Sequence, residues 1–309
     1  MTDSSLTRHA YVMQSAYGAV PANPAFKKLR LTGGGLSEQS GYTTSNEIRS
    51  DRQNSDMRLT SREAGGDFPF EMSYESFDDL LAAFMCNNWA TDTLKPGTLD
   101  KYFAYERTDN MGGGVFDYEL FKNCQINTFN LSISPRSLMT GSFGVMASEM
   151  QANTAPITGS TYAEPPQTSV FSSAEASGEL MINGAVVGYL MALTISGTNN
   201  MQGREQLFSP YLDGMRKGKF DFGGELTTYF RTKALRDLQR ADGYVDLKLT
   251  IGNDTDGTYE FVMSRVKLAN TAKNTPGNNE DVMLNTAFTA NYDTTDGASL
   301  IITRIDATP

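Results

Sequence analysis

GGDFPFEMSYESFDDLL, residues 65–81, changes its hydrophobic period midway, and that change decides the fold class. Phe68, Phe70, Met72 and Tyr74 alternate with Pro69, Glu71 and Ser73, the period of two that puts apolar side chains on one face of a strand. From Phe77 onward the apolar residues Leu80, Leu81, Phe84 and Met85 fall three and four apart, which predicts a helix over 76–85 with Ser76 and Asp79 as a capping box. The same alternation recurs at Tyr189, Met191, Leu193 and Ile195, and again at Val245, Leu247, Leu249 and Ile251. Asn183-Gly184, Asp256-Gly257 and Asp296-Gly297 stand between such runs, where hairpin turns call for positive φ. A second helix is predicted over 232–240, with Ala234, Leu235 and Leu238 as its apolar side. The chain therefore reads as mainly β, with antiparallel sandwich or barrel units and few helices.

The predicted elements occur twice in one order. The first half places a strand at 28–32, a long polar loop, the aromatic strand at 67–74, the helix, and strands at 117–126, 128–134 and 138–146. The second half places 189–196, a loop, 218–230, the helix, and strands at 244–251, 258–268, 282–292 and 298–305. YELFKNCQIN at 118–127 even matches YEFVMSRVKL at 259–268 letter by letter in part. A tandem duplication follows, with a first unit over 1–146, a second over 179–309, and each carrying one flanking helix. Residues 147–178, rich in Ser, Thr, Ala, Pro and Gly, read as a linker or surface insertion. The total of 309 residues fits two domains of roughly 150.

Composition excludes several function classes. Lys and Arg number 26 against 36 Asp and Glu, a net charge of −10, which argues against a surface that grips phosphates. Two cysteines without CxxC spacing and a single histidine, His9, leave no zinc, haem or metalloprotease pattern. The N-terminal MTDSSLTRHA has no apolar run and is not read as a secretory signal, and no stretch is long and apolar enough for a transmembrane helix. Gly33-Gly34-Gly35 and Gly112-Gly113-Gly114 lack the Lys-Ser/Thr of a phosphate loop and read as turns. Asn253, Asp254 and Asp256 lack the later bidentate acid of a calcium loop. Asp78 and Asp79 suit the positive end of a helix dipole, since neighbours on a helix do not face each other as an acid/base pair must. Trp89 is expected to plug the core and His9 to lie in a polar arm. No catalytic residue, metal or cofactor is expected.

The polar stretch 42–64, YTTSNEIRSDRQNSDMRLTSREA, mixes both signs of charge at short intervals. Arg49, Arg52, Arg58 and Arg62 alternate with Glu47, Asp51, Asp56 and Glu63, a pattern suited to directional ion pairs with a neighbouring subunit. Glu47, Arg49, Asp51, Arg52, Asp56 and Arg58 are the candidate contact residues.

At this stretch the chain resembles the major tail tube proteins of long-tailed, non-contractile bacteriophages. The resemblance rests on LRLTGGGLS at 29–37, TTSNEIRSDRQNSD at 43–56, GGDFPFEMSYESFDDLL at 65–81, MRKGKFDFGGELTTYF at 215–230, YEFVMSRVKL at 259–268 and DVMLNTAFTANYD at 281–293. It implies a β-sandwich with a flanking helix, assembly into rings whose sheets join into one barrel, and rings stacked into a tube on a tape-measure protein. It further implies tail-tip and tail-terminator proteins as partners, a place in the virion tail assembled in the host cytoplasm, and double-stranded DNA passing an acidic lining without specific binding. Single-unit members of the family form six-membered rings. Two tandem units would therefore close a pseudo-sixfold ring with three copies, and a six-copy ring is the alternative. The predicted candidates at 47–58 would then join successive rings. A reading of another class, a β-sandwich binding or adhesion module for a carbohydrate or protein ligand, predicts exposed aromatics or a true calcium loop.

Overall fold

The computed structural model describes residues 6–175, 178–274, 277, 278 and 280–307. Residues 1–5 of the N-terminal stretch and 176–177 of the 147–178 segment lie outside the described residues. The first half contains β1 (Arg8–Gln14), β2 (Ala25–Lys28), β3 (Gly35–Thr44), β4 (Met57–Glu71), α1 (Asp78–Phe84), β5 (Thr93–Leu94), β6 (Tyr102–Gly112), β7 (Val115–Ile133) and β8 (Thr140–Ala147). Two further strands follow, β9 (Glu149–Asn153) and β10 (Thr161–Ala163). The second half contains β11 (Glu179–Ile182), β12 (Ala185–Val186), β13 (Leu190–Thr198), β14 (Gln202–Gly203), β15 (Met215–Arg216), β16 (Asp221–Tyr229), α2 (Ala234–Arg240), β17 (Val245–Asn253), β18 (Gly257–Asn274), β19 (Met283–Ala290) and β20 (Ile301–Asp306). The protein is mainly β, as the alternation predicts.

A central antiparallel sheet runs β3-β4-β8-β7-β13-β16-β19-β18. Its alternation is clean. Phe68, Phe70, Phe143, Phe129, Leu193, Ile195, Phe222 and Phe288 turn to the core and are buried. β7 and β18 are long because each serves two layers. Their first halves pair with β6 and β17, and their second halves belong to the central sheet beside β8 and β19. α1 lies against the core face of the central sheet, with Leu80 through Phe84 all buried. The predicted turns hold: Asn183 and Gly184 have φ of 50° and 71°, and Gly257 and Gly297 have 131° and 64°.

Pairings in the two halves follow one order. β1 pairs β6 and β11 pairs β17; β3 pairs β4 and β13 pairs β16; β4 pairs β8 and β16 pairs β19. β7 pairs β9 as β18 pairs β20. The 147–178 segment contributes β9 and β10, and its Phe171 is fully buried, with its N–H on Met72 O at 2.7 Å.

Four local expectations are corrected. The strand expected at 28–32 is instead β2 followed by a turn, because Gly34 and Gly35 take φ of 66° and 127° and start β3 beyond them. The stretch 42–64 is not one loop: only 45–56 is, and its flanks complete a two-stranded arm. Helix α1 starts without a capping box, since Ser76 Oγ receives the Ser73 hydroxyl at 2.7 Å and no side chain caps Phe77. Tertiary partners claim the acids of the first turn as well: Asp79 accepts from Tyr11 and Lys27, and Asp78 from Arg304 and Tyr259. His9 sits in β1, not in an arm, with Nδ1 2.5 Å from the Tyr105 hydroxyl; burial pushes its pKa down and keeps it neutral. Trp89 packs partly buried at the core margin, its Nε1–H donating to Asp78 O at 3.0 Å.

Candidate assembly surfaces

Between residues 57 and 63, β4 pairs with β3 alone, because its partnership with β8 begins at Ala64. The β3–β4 ribbon therefore projects as an arm from the end of the central sheet. Its tip, 45–56, is closed by the Ser45 N–H on Asp56 O at 2.9 Å. All six predicted contact residues lie on this tip or just past it, and all are exposed. Arg49 holds Asp51 in a fork, with Nε and Nη2 at 3.0 and 2.7 Å, and Arg58 Nε lies 2.5 Å from Asp56. The Arg49 hydrogen bond holds the Asp51 carboxyl below its ordinary range, and Asp51 in turn raises Arg49. The tip thus brings together two pairs of the six. Glu47 and Arg52 join neither pair among the described residues, although the Arg52 backbone is held at φ 58°. Ile48 stands at 99% exposure between them.

A second projecting loop, 199–220, lies at the same end of the sheet, where Pro210 O accepts the Arg62 N–H at 2.7 Å. Arg62 also pairs with Glu38 at 2.9 Å. Leu207 and Phe208 crown this loop at 84% and 105% exposure. Reading the sequence for charge patterns missed them; the available signal was two adjacent large apolar residues in a segment without any period.

The face of the central sheet turned away from the core is polar and mostly acidic, with Lys267 of β18, opposite Thr289, as a basic residue on it. Asp67 and Glu71 on β4 and Asp221 and Glu225 on β16 alternate onto it beside Thr128, Asn130, Ser142, Thr194, Ser196 and Thr289. No Lys or Arg alternates onto this face in the paired stretches of β4, β8, β13, β16 and β19. Asp67 and Glu225 are exposed and carry no ion pair among the described residues.

The sheet ends in two open edges. β3 pairs with β4 on one side, and residues 269–274 of β18 pair only with β19. Among the described residues neither outer edge meets another strand, and unpaired edges of this length are templates for a further chain. By contrast, no cluster of three or more His, Cys, Asp or Glu able to hold a metal occurs among the described residues, and Cys86 and Cys124 are buried free thiols.

A family model described as phage tail tube protein matches residues 4–290 of the chain. A comparison with curated proteins returned no match.

Proposed function

The chain belongs to the phage tail tube proteins, components of the virion tail, and from that premise we propose that it closes into a ring of three copies that stack into the tube of a non-contractile tail. The reading is carried by the common order of strand pairings in the two halves, which supports two tube units per chain, 1–146 and 179–309, joined through 147–178. Each unit gives four strands to the central sheet, so three copies form a closed barrel of twenty-four. With strands about 4.8 Å apart and tilted by about 40°, such a barrel is roughly 45–50 Å across, backbone to backbone. Six copies would double that diameter and leave a DNA duplex loose in the channel.

The acidic face of the central sheet lines this channel. Phosphates meet like charge there, gain nothing from counterion release, and slide past. A tape-measure protein occupies the same lumen during assembly, and tip and terminator proteins bound the two ends. Loop 45–56 and the Leu207-Phe208 loop project from one end of the barrel and seat on the next ring. Glu47, Arg49, Asp51, Arg52, Asp56 and Arg58 supply charge contacts there, and the apolar pair supplies buried area.

Electron microscopy of the concentrated protein, with rotational classification of end-on views, tests the reading. Hollow rings or tubes with threefold modulation are expected. Strict sixfold symmetry would remove the three-copy ring and keep the tube, and small globules that never assemble on tail-tip nuclei would remove both.

A further inference from the structure

The lateral junction between the two halves is already present inside the chain. β13 pairs antiparallel with the end of β7, Ile195 opposite Leu131, Ser196 opposite Asn130 and Gly197 opposite Phe129. Equivalent positions in the other half can be fixed by backbone geometry. Gly66 lies against the carbonyl of Gly35 and leaves no room for a Cβ, and Gly224 lies in the same way against Thr194. Gly65 is likewise pressed on the Val145 carbonyl and Gly223 on that of Phe288. Leu36 faces Gly66 across the ladder as Ile195 faces Gly224, which makes Leu36, Ser37 and Glu38 the counterparts of Ile195, Ser196 and Gly197. Following β4 to β8 to β7, and β16 to β19 to β18, makes Thr271, Ala272 and Lys273 the counterparts of Phe129, Asn130 and Leu131.

We propose that β3 of one copy pairs antiparallel with residues 270–274 of β18 in the next copy, Leu36 opposite Lys273, Ser37 opposite Ala272 and Glu38 opposite Thr271. This rests on the ring-forming reading and adds the register of its lateral contact. Because Gly35 directs its carbonyl toward β4, the alternation of an antiparallel ladder directs the N–H and C=O of Leu36 and Glu38 outward. The Leu36 carbonyl meets only the long contact from Arg107 at 3.4 Å, and Arg107 keeps Asp109 and Glu119 at 3.1 and 2.6 Å when a strand arrives.

Two independent observations support this contact, the first of them its register. Glu38 Oε1 and Thr271 Oγ1 are buried side-chain atoms without a hydrogen-bond partner among the described residues. The register sets these two residues directly opposite, on the same face, where the Thr271 hydroxyl donates to the carboxylate. Lys273 falls diagonal to the same carboxylate, a favourable cross-strand charge pair. The second observation is the helices. α1 covers the internal junction, Phe84 lying against Phe129 and Gly197, and five of its residues are buried. α2, beside β18 at the open edge, buries none. Its apolar side, Leu235 and Leu238, is half-buried and completes its contacts when the next copy arrives.

Cysteines at Ser37 and Ala272 test the register, since a pair of opposed residues that exchange no hydrogen bonds has Cα atoms about 4.5 Å apart, within disulfide reach. Both native thiols are buried and do not interfere. In rings or tubes of the full chain verified by microscopy, oxidised S37C/A272C is expected to run as a covalent trimer that reductant returns to monomer. S37C/T271C, whose side chains point to opposite faces, is expected to stay monomeric. Threefold tubes in which S37C/A272C fails to cross-link, or in which S37C/T271C links better, overturn the register and leave the tube reading standing. Failure of the wild-type chain to form any ring overturns both. As a second measurement, Thr271→Val is expected to raise the concentration needed for assembly about tenfold, the worth of a hydrogen bond to a charged group, and Thr271→Ser to restore it. An unchanged assembly threshold in Thr271→Val would also overturn the pairing.

Discussion

Phe84→Ala is expected to lower the unfolding free energy of the isolated chain by about 3–5 kcal/mol, read from the shift of its urea midpoint. The side chain is fully buried, and its ring centroid lies 5.5 Å from that of Phe129 and 5.4 Å from that of Phe220. It also closes over Gly197, where even a Cβ would collide with the ring. The surroundings cannot collapse into the space, because Asn199 ties the backbone on both sides, its Nδ2 donating to Phe84 O at 2.8 Å and Ile126 O at 3.0 Å. The lost ring therefore leaves a cavity beside the β7–β13 junction, one of the places where the two halves of the chain share a core. Leu238→Ala in α2 is the contrast. That side chain is only half-buried, and its removal is expected to cost the isolated chain under about 1 kcal/mol. The same change should weaken assembled tubes far more, because the next copy completes the burial. Equal losses in the isolated chain would mean that α2 is not the open-edge counterpart of α1.

The difference between these two helices was not legible in the sequence. Both were predicted within two residues of their ends from three- and four-residue spacing, yet α1 runs through a dense core and α2 lies on a rim. Periodicity reports which side of a helix is apolar and says nothing about whether a partner is present. The strands of the central sheet were legible, because Phe68 and Phe70, or Leu193 and Ile195, alternate against polar residues on a sheet with one dry face. The arm was not. From 57 to 63 the ribbon has no core beneath it, so its apolar side chains, Met57, Leu59 and the Tyr42 opposite Leu59, are few and exposed, and past Leu59 the alternation gives way to Thr60, Ser61, Arg62 and Glu63 although the ladder continues.

Charge patterning likewise gave only part of the candidate surface. It located the arm tip, where Arg49 with Asp51 and Asp56 with Arg58 form pairs within the loop. It passed over Glu38, a single acid in an otherwise neutral strand, whose importance depends on a buried oxygen without a partner. It also passed over the acidic sheet face, since Asp67 and Glu225 are far apart in sequence and become neighbours in kind only through the equivalence of Gly65-Gly66 with Gly223-Gly224. The repeated Gly-Gly-acid-apolar tetrad was in the sequence, but its meaning is backbone packing: each glycine admits a carbonyl of the adjacent strand.

Reversing those two acids, Asp67→Lys with Glu225→Lys, is expected to leave folding and tube formation intact while turning the channel from a slide into a trap. Both side chains are exposed and free of ion pairs among the described residues, so the change to stability should stay within about 0.5 kcal/mol. The new ammonium groups would be repeated around every ring and down the whole tube, at sites where phosphates pass closely. Each phosphate neutralised releases counterions, so variant tubes should retain double-stranded DNA at about 50 mM salt and let it go by about 200 mM. Phage carrying the variant should eject slowly at low salt and recover as salt rises, whereas Asp67→Asn with Glu225→Gln, which removes charge without adding any, should eject at nearly the wild-type rate. Ejection of the lysine variant at the wild-type rate in low salt would sink the assignment, since a face lining the DNA path cannot change sign without effect. Retention that ignored salt would point instead to a steric block by the longer side chains.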